Sequence, residues 1–525
     1  MEGTQLLRSL WDNPIPATTA LIIGYIVYSI IYNLYFHPLA EYPGPLLARC
    51  TLLWRFYHSH RGLFHYAIHD AHRKYGPVIR LCPNELSFAT VESWKAIYSP
   101  RVSSNRPLVA TKSKFYDMFG AGFSSSCVGS ERDPHIHARM RRMLNPAFST
   151  KALLAQEDII TGVIDLFVEK LGQLGGPGTN GLNMSQWYEM VAFDIMGELA
   201  IGESFHGVEN GKQHSWSEII GHIPYFVIMI DNLRRIPLVW SLFRSIPAMV
   251  GLQSANSKYA RDKVEQRLRK KTDRPDFLTT VIKSYESGEI AKEEVAAHAS
   301  TIALAGAETL STFYCATTYY LFRHPSVLSK LRREIDSAFP YMYSQINASS
   351  CMQKLPYLQA VIQESLRKFP PAAFGFPRLS PEHGMFVGTY FVPAGCEMST
   401  HTWTLAHSEE YWRDPEVFRP ERWVDKTDGK GGGGNNNNYD VLEASQPFSL
   451  GGNGCIGKNF AYLETNLILT KLLWKYDLEM VDPEFDWEEG PPRTKNWYLW
   501  TKPDFFVRFK ERKRPGTVNC GSVTV

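Results

Sequence analysis

No Cys-x-x-Cys pair occurs anywhere in the chain, although it carries eight cysteines. That absence removes the usual zinc frameworks. The wide scatter of Cys50, Cys82, Cys127, Cys315, Cys351, Cys396, Cys455 and Cys520 also removes a secreted disulfide scaffold and fits a reduced compartment. Charge of one sign is scarce: the net is only +3, which offers no basic field for nucleic acid. No repeat recurs at solenoid periods. Strand and helix patterns do not alternate regularly, which argues against a doubly wound sheet. What is present is apolar material: 44% of 525 residues are hydrophobic, with 13 tryptophans and 29 phenylalanines. This is enough for a large core and for an apolar ligand pocket.

One stretch lacks charge altogether. The 21 residues from Pro16 to Phe36 are uncharged, long enough as a helix to cross a bilayer core. A cleaved signal peptide is the alternative, but the run ends in Tyr-Leu-Tyr-Phe and not in a small-residue cleavage site. Downstream Arg49, Arg55, Arg61, Arg73 and Lys74 place the bulk of the chain on the cytosolic side. The expected organisation is an N-terminal segment and anchor (1–36), a Pro/Gly-rich neck (37–50) and one large domain (51–525) with a flexible Gly/Asn loop at 429–438. Within the large domain most segments read as helix. Segment 153–173 is periodic and apolar, and 355–369 places Leu358, Ile362, Leu366 and Phe369 on one face between Pro356 and Pro370. Extended stretches fall near 77–91 and 385–398. The fold class expected is mainly α with a smaller β region, α+β, with a single N-terminal transmembrane helix.

Four segments carry chemistry. In Pro447–Lys458 three glycines surround Cys455 and a helix follows, with Phe460, Leu463 and Leu467 on its inner face. A thiol before a helix N-terminus is eased toward thiolate, a ligand for haem iron. The bland alternative is an inert turn cysteine. The sharper rival is a dinucleotide fingerprint in Gly452, Gly454 and Gly457 with Asp477 beyond. Only 68 residues follow Gly457, too few to complete a nucleotide-binding half. The second segment, Val295–Tyr320, is nearly free of charge and carries small residues at Ala303, Ala305, Gly306 and Ala307. A large flat group could lie against it. Glu308 and Thr309 near its middle disfavour lipid and could pass protons, or could merely satisfy each other in a core helix. In the third segment Glu364 and Arg367 share a helix face. They form either a surface pair worth little or, if Arg422 joins them, a buried network. In the fourth, His137 and Arg141 lie on one helical face and could hold carboxylates or phosphates, while Arg139 and Arg142 read as solvated.

In this order, these segments resemble the cytochrome P-450 family. Its cysteine loop F-x-x-G-x-[RH]-x-C-x-G is met by Phe448, Gly451, Cys455 and Gly457, with Asn453 in the place of Arg or His. Ala305-Gly306-Ala307-Glu308-Thr309 matches its distal-helix motif, Glu364 and Arg367 its E-x-x-R, Pro420-Glu421-Arg422 its P-E-R, and His137 and Arg141 its helical [WH]-x-x-x-R. The anchor and neck resemble those of microsomal members, and YFHPLAEYPGP those of filamentous fungi. The resemblance implies haem b (iron protoporphyrin IX) with Cys455 as axial thiolate. It further implies cofactor contacts from His137, Arg141, Arg378, Phe448, Gly451, Asn453 and Gly457, and proton delivery by Glu308 and Thr309. Asn453 brings no charge to a propionate, so haem would lean more on His137, Arg141 and Arg378. Leu310 stands where many members have a second hydroxyl.

By family position the substrate pocket would include Thr301, Ala305, Phe374, Phe376, Trp497 and Leu499. The implied activity is oxidation of an apolar secondary metabolite such as a terpenoid, polyketide or alkaloid, with dioxygen and NADPH electrons from a separate reductase. A cytochrome b-type protein is a second electron donor to consider. Arg139, Arg142 and Lys458 are candidates for the docking face. The implied location is the endoplasmic reticulum membrane, single-pass, with the catalytic domain cytosolic. The alternatives are an O2-independent haem-thiolate isomerase or dehydratase, a non-catalytic haem-binding sensor, and the dinucleotide enzyme.

Overall fold

The computed structural model describes residues 14–99, 101–103, 106–108, 110–236, 239–241, 247–270, 276–424, 440–488 and 494–513. The expected Gly/Asn loop at 429–438 lies outside them. The helices that build the site, in chain order, are α1 (Pro14–Ile31), α2 (Leu53–His60), α3 (Pro134–Leu144), α4 (Met184–Ala200), α5 (Ser215–Leu233), α6 (Lys292–Arg323), α7 (Pro356–Lys368) and α8 (Lys458–Lys475). The strands are β1 (Val78–Cys82), β2 (Glu85–Phe88), β3 (Thr111–Lys112), β4 (Arg378–Leu379), β5 (Glu397–Thr400), β6 (Lys495–Asn496) and β7 (Trp500–Thr501).

Local chemistry sets the ends of these helices. Asp133 caps α3 by accepting from the His135 and Ile136 N–H groups, and Pro134 fills the first helical position. Pro356 does the same for α7. α6 ends at His324, which Pro325 forces out of helical geometry (φ −125°, ψ 73°). The apolar stretch read at 153–173 is interrupted. A short helix, Thr150–Leu154, precedes a longer one at Glu157–Leu174.

α6 is the central element. Buried on nearly all sides, it is a core helix and not a second span. α4 crosses it closely, and Gly306 allows the approach, because a Cβ there would press on Met196. Around this pair the main apolar core takes in residues of α8 (Phe460, Leu463, Leu467, Leu472) and of α7 (Leu358, Ile362, Leu366). A five-stranded sheet in the order β1-β2-β5-β4-β3 stands to one side, antiparallel except where β5 runs parallel to β2. A buried cluster of three arginines and three carboxylates (Arg55, Arg234, Arg235 with Glu85, Asp231, Glu397) clamps α2 and the end of α5 to this sheet.

α1 is different. It continues through a π-helical turn, Tyr32–Phe36, and the stretch Thr18–Phe36 is long and apolar enough to cross a membrane, with none of it buried against the protein. That is compatible with a membrane anchor.

Candidate active site

The cysteine loop is shaped by backbone. Ser449 and Gly451 both adopt positive φ (56° and 69°), and at Gly451 a Cβ would collide with the Tyr98 carbonyl oxygen. Glycine is therefore required there both for conformation and for close approach. The Cys455 N–H donates to Phe448 O at 2.8 Å, which closes the loop just ahead of α8. No strand leads into these glycines. The strand after α8, Tyr476–Met480, pairs antiparallel with Phe506–Glu511. A dinucleotide unit needs parallel strands joined through that helix, so the fingerprint reading fails.

Cys455 opens into a cavity with about 1550 Å³ of space free of protein atoms, its mouth included. Burial pushes the thiol pKa up, against the opposing pull of the Gly457 N–H, Arg141 and Lys458. The helix terminus alone does not make it a thiolate, because desolvation outweighs those donors. A metal that displaces the proton would. The facing wall is α6, which contributes Thr301, Leu304, Ala305, Thr309 and Leu310.

One rim of the cavity is basic. Lys112, His137, Arg141 and Arg378 all line it, and among the described residues no aspartate or glutamate does. Lys112 and Arg378 are direct partners across the β3–β4 pair, an arrangement that like charges disfavour. Lys112 Nζ donates to the Val128 and Gly129 carbonyls at 2.7 and 2.9 Å. Its pKa falls to about 7 through burial, with Arg378 adding to the fall. Arg378 donates to the Tyr116 hydroxyl and lies against the Tyr98 and Tyr116 rings. Arg141 donates to Gly454 O and to Asn145 Oδ1. The His137 pKa is lowered to about 4 by burial and by Lys112, Arg141 and Arg378. Buried cations without an anion are costly, so this rim suits a ligand that carries carboxylates. Of the small residues expected to face a flat group, only Ala305 lines the cavity; Ala303 and Ala307 are buried in the core and Gly306 meets Met196. Ala305, the open cysteine and the basic rim together fit haem with its two propionates.

The remaining positions read from the sequence distribute as follows. Phe448, Asn453, Phe376 and Leu499 line the cavity with Thr301 and Ala305. Gly451 and Gly457 shape the loop but are not among its lining residues. Phe374 packs one layer behind, against Phe115, Phe376 and Tyr498. Trp497 points elsewhere: its Nε1 donates to His60 O at 3.2 Å, and its ring meets Tyr225. Its neighbour Tyr498, within the 496–500 stretch that family position assigns to the pocket, takes the cavity position at φ 90°, whereas Lys112 was not singled out as a basic contact. Glu308 does not line the cavity. Its carboxylate is 2.9 Å from Lys502 Nζ.

Glu364, Arg367 and Arg422 form a buried network and not a surface pair. Arg367 grips Glu364 through Nε and Nη2 at 2.9 and 2.8 Å, Arg422 Nε reaches it at 3.3 Å, and Trp423 Nε1 donates to it. Asp440 completes the balance, 2.7 Å from Arg422 Nη1.

A family profile described as Cytochrome P450 matches residues 43–497. The chain is 48% identical over 492 residues to the cytochrome P450 monooxygenase ORF9 of Penicillium roqueforti, covering 94% of this chain and 93% of that one. It is also 48% identical over 486 residues to the cytochrome P450 monooxygenase BOT4 of Botryotinia fuckeliana, covering 92% and 89%. Against the cytochrome P450 monooxygenase aclL of Aspergillus oryzae it is 35% identical over 499 residues, covering 95% and 98%. With a cysteine that faces a core helix across a basic-rimmed cavity, and with these relatives along almost its whole length, the chain belongs to the cytochrome P450 family and is a monooxygenase.

Proposed function

We propose that the cavity holds haem b with the Cys455 thiolate as its protein ligand, and that the enzyme hydroxylates or otherwise oxidises an apolar small molecule, a secondary metabolite of the terpenoid, polyketide or alkaloid kind. The observation that carries this reading is Cys455 at one wall of a cavity whose rim, among the described residues, bears four basic side chains and no carboxylate. Haem bound there supplies reductive activation of dioxygen. His137, Arg141, Arg378 and Lys112 would hold its propionates and would compensate for the uncharged Asn453. The α6 residues Thr301, Ala305 and Thr309 form the cavity wall that would face the bound group. Thr309 Oγ1 donates to Ala305 O at 2.7 Å, so its lone pairs can hold a water in the cavity. Phe119, Phe376, Tyr498 and Leu499 give an aromatic, water-excluding lining that suits an apolar skeleton.

In this reading electrons come from NADPH through a separate reductase, with a cytochrome b-type protein as a second donor. α1 anchors the protein in the endoplasmic reticulum membrane with residues 51–525 in the cytosol. Arg141 brings α3 beside the cysteine loop, and Arg142 and Lys458 are exposed there, so they serve as the docking face. Arg139 is partly engaged by Glu294 at 2.9 Å. The reduced, carbon monoxide-bound difference spectrum tests the core of the proposal. Wild type should show the strongly red-shifted Soret band of thiolate-ligated haem and Cys455→Ala should lose it. A folded wild type without any haem band rejects it.

A further inference from the structure

Tyr498 sits at the tip of the hairpin formed by β6 and β7, where Asn496 pairs with Trp500 and the Trp497 N–H donates to Leu499 O at 3.0 Å. Its φ of 90° is one that glycine or asparagine adopts readily and a bulky side chain does not. Such strain persists only where the surroundings over-determine it. Here the ring lies among four phenylalanines, with centroids 5.4–5.9 Å from those of Phe115, Phe119, Phe374 and Phe376. That grip fixes the direction of the ring, and the residue lines the cavity. Its hydroxyl makes no hydrogen bond among the described residues. The neighbouring hydroxyls are already spent. Thr309 Oγ1 donates to Ala305 O at 2.7 Å, and Thr301 Oγ1 donates to Phe119 O at 3.3 Å with Cys127 Sγ at 2.9 Å. The Tyr116 hydroxyl is turned to the basic rim, where it accepts from Arg378. Burial raises the Tyr498 pKa above that of an ordinary phenol, with Tyr116 and Cys455 adding to the rise, so the group stays protonated and is a donor. An unpaired donor against an apolar lining is costly until a ligand brings it an acceptor.

We propose that Tyr498 is a specificity-determining residue: its hydroxyl donates to an oxygen of the substrate, so the enzyme takes an apolar skeleton that already carries a hydroxyl, ether or carbonyl oxygen. This rests on the reading above of the cavity as a haem-thiolate oxidation site. The lining around the phenol is apolar, with Phe119, Leu304, Phe376 and Leu499. A single directed bond in such a lining sets the orientation of the ligand, and thereby which of its carbons faces α6. Without the donor, the ligand's oxygen would give up its water and gain no partner.

The test is equilibrium dialysis of the haem-loaded full chain against pairs of probes of increasing size: adamantane and 2-adamantanone, decalin and 2-decalone, androstane and androstan-17-one. At least one ketone should bind to wild type and be weakened about tenfold by Tyr498→Phe, while its parent hydrocarbon stays within about twofold. The variant keeps the ring and its aromatic neighbours, so the difference reports the hydroxyl alone. The infrared C=O stretch of that ketone, labelled with 13C, should lie at lower frequency when bound to wild type than when bound to Tyr498→Phe. A purely structural role of the tyrosine would not move it. A panel in which no ketone binds, or in which each ketone weakens no more than its hydrocarbon, overturns the proposal, and so does an unchanged C=O stretch. The reduced carbon monoxide band of the same samples reports separately on the haem-thiolate reading. Its absence would reject that reading, and the dialysis would still decide the role of Tyr498.

Discussion

At the residue scale the basic rim is where sequence and structure differ most. His137 and Arg141 were legible because a four-residue spacing puts them on one helix face. Lys112 was not, because it acquires meaning only when β3 pairs with β4 and sets it opposite Arg378, a residue distant in sequence. Lys112 has a folded pKa of about 7, lowered by burial and then by Arg378. Between that value and the ordinary lysine value near 10.4 the unfolded chain binds more protons than the folded one, so stability rises with pH. The haem-free protein should therefore gain on the order of a few kcal/mol from pH 7 to pH 10 through this group. Lys112→Met should flatten the gain and raise stability at pH 7, while it speeds haem loss from the loaded enzyme. Thermal unfolding of apoprotein across pH and haem transfer to an acceptor protein measure the two halves. A variant that retains haem as long as wild type would show that Lys112 does not meet the propionates.

At the element scale the legible parts were those whose logic stays within one helix. Pro356 opens α7 as read, and Pro134 and Pro325 act on α3 and α6 by the same rule, while the small-residue run of α6, read as a wall for a flat group, gives through Gly306 the close crossing with α4. Side-chain direction was less legible: nothing local distinguishes a Glu308 aimed at the cavity from one aimed at Lys502, because the lysine arrives from a different segment. Asp440 was hidden for the same reason. Two predictions belong here. Glu364→Ala strands Arg367 and Arg422, both buried, and should cost about 3–5 kcal/mol. Denaturant unfolding would read this, and a loss below about 1 kcal/mol would mean that Asp440 and the backbone carbonyls suffice. Gly306→Ala sets a methyl group against Met196 and should cost about 1–3 kcal/mol. Most of that should be recovered when Met196 is shortened to Ala in the same chain. A double variant no more stable than Gly306→Ala would place the strain in the helix backbone instead.

At the scale of the whole molecule the chain divides by what its apolar surface meets. In the large domain it meets protein. Along α1 none of it is buried against the protein. The exposure does not stop at Phe36: Leu46 and Leu53 are 65% and 61% exposed, and Leu47, Phe56 and Tyr57 continue the same surface. Arg55, on the opposite side of α2, is locked into the buried charge cluster with Glu85 and Asp231. That fixes which face of α2 turns outward. Beside the proposed anchor the domain thus presents a second, shallower apolar patch, of the kind that rests in a membrane interface. Removal of residues 1–36 should therefore change the mode of attachment and not abolish it. The full chain should require detergent for release, and the truncated chain should come off in alkaline carbonate. The truncated chain with Leu46, Leu47 and Leu53 replaced by serine should stay in the supernatant from the start. All three should show the same reduced carbon monoxide band, because none of these residues lines the cavity. A truncated chain that is fully soluble before the serine changes would show that α1 is the entire attachment.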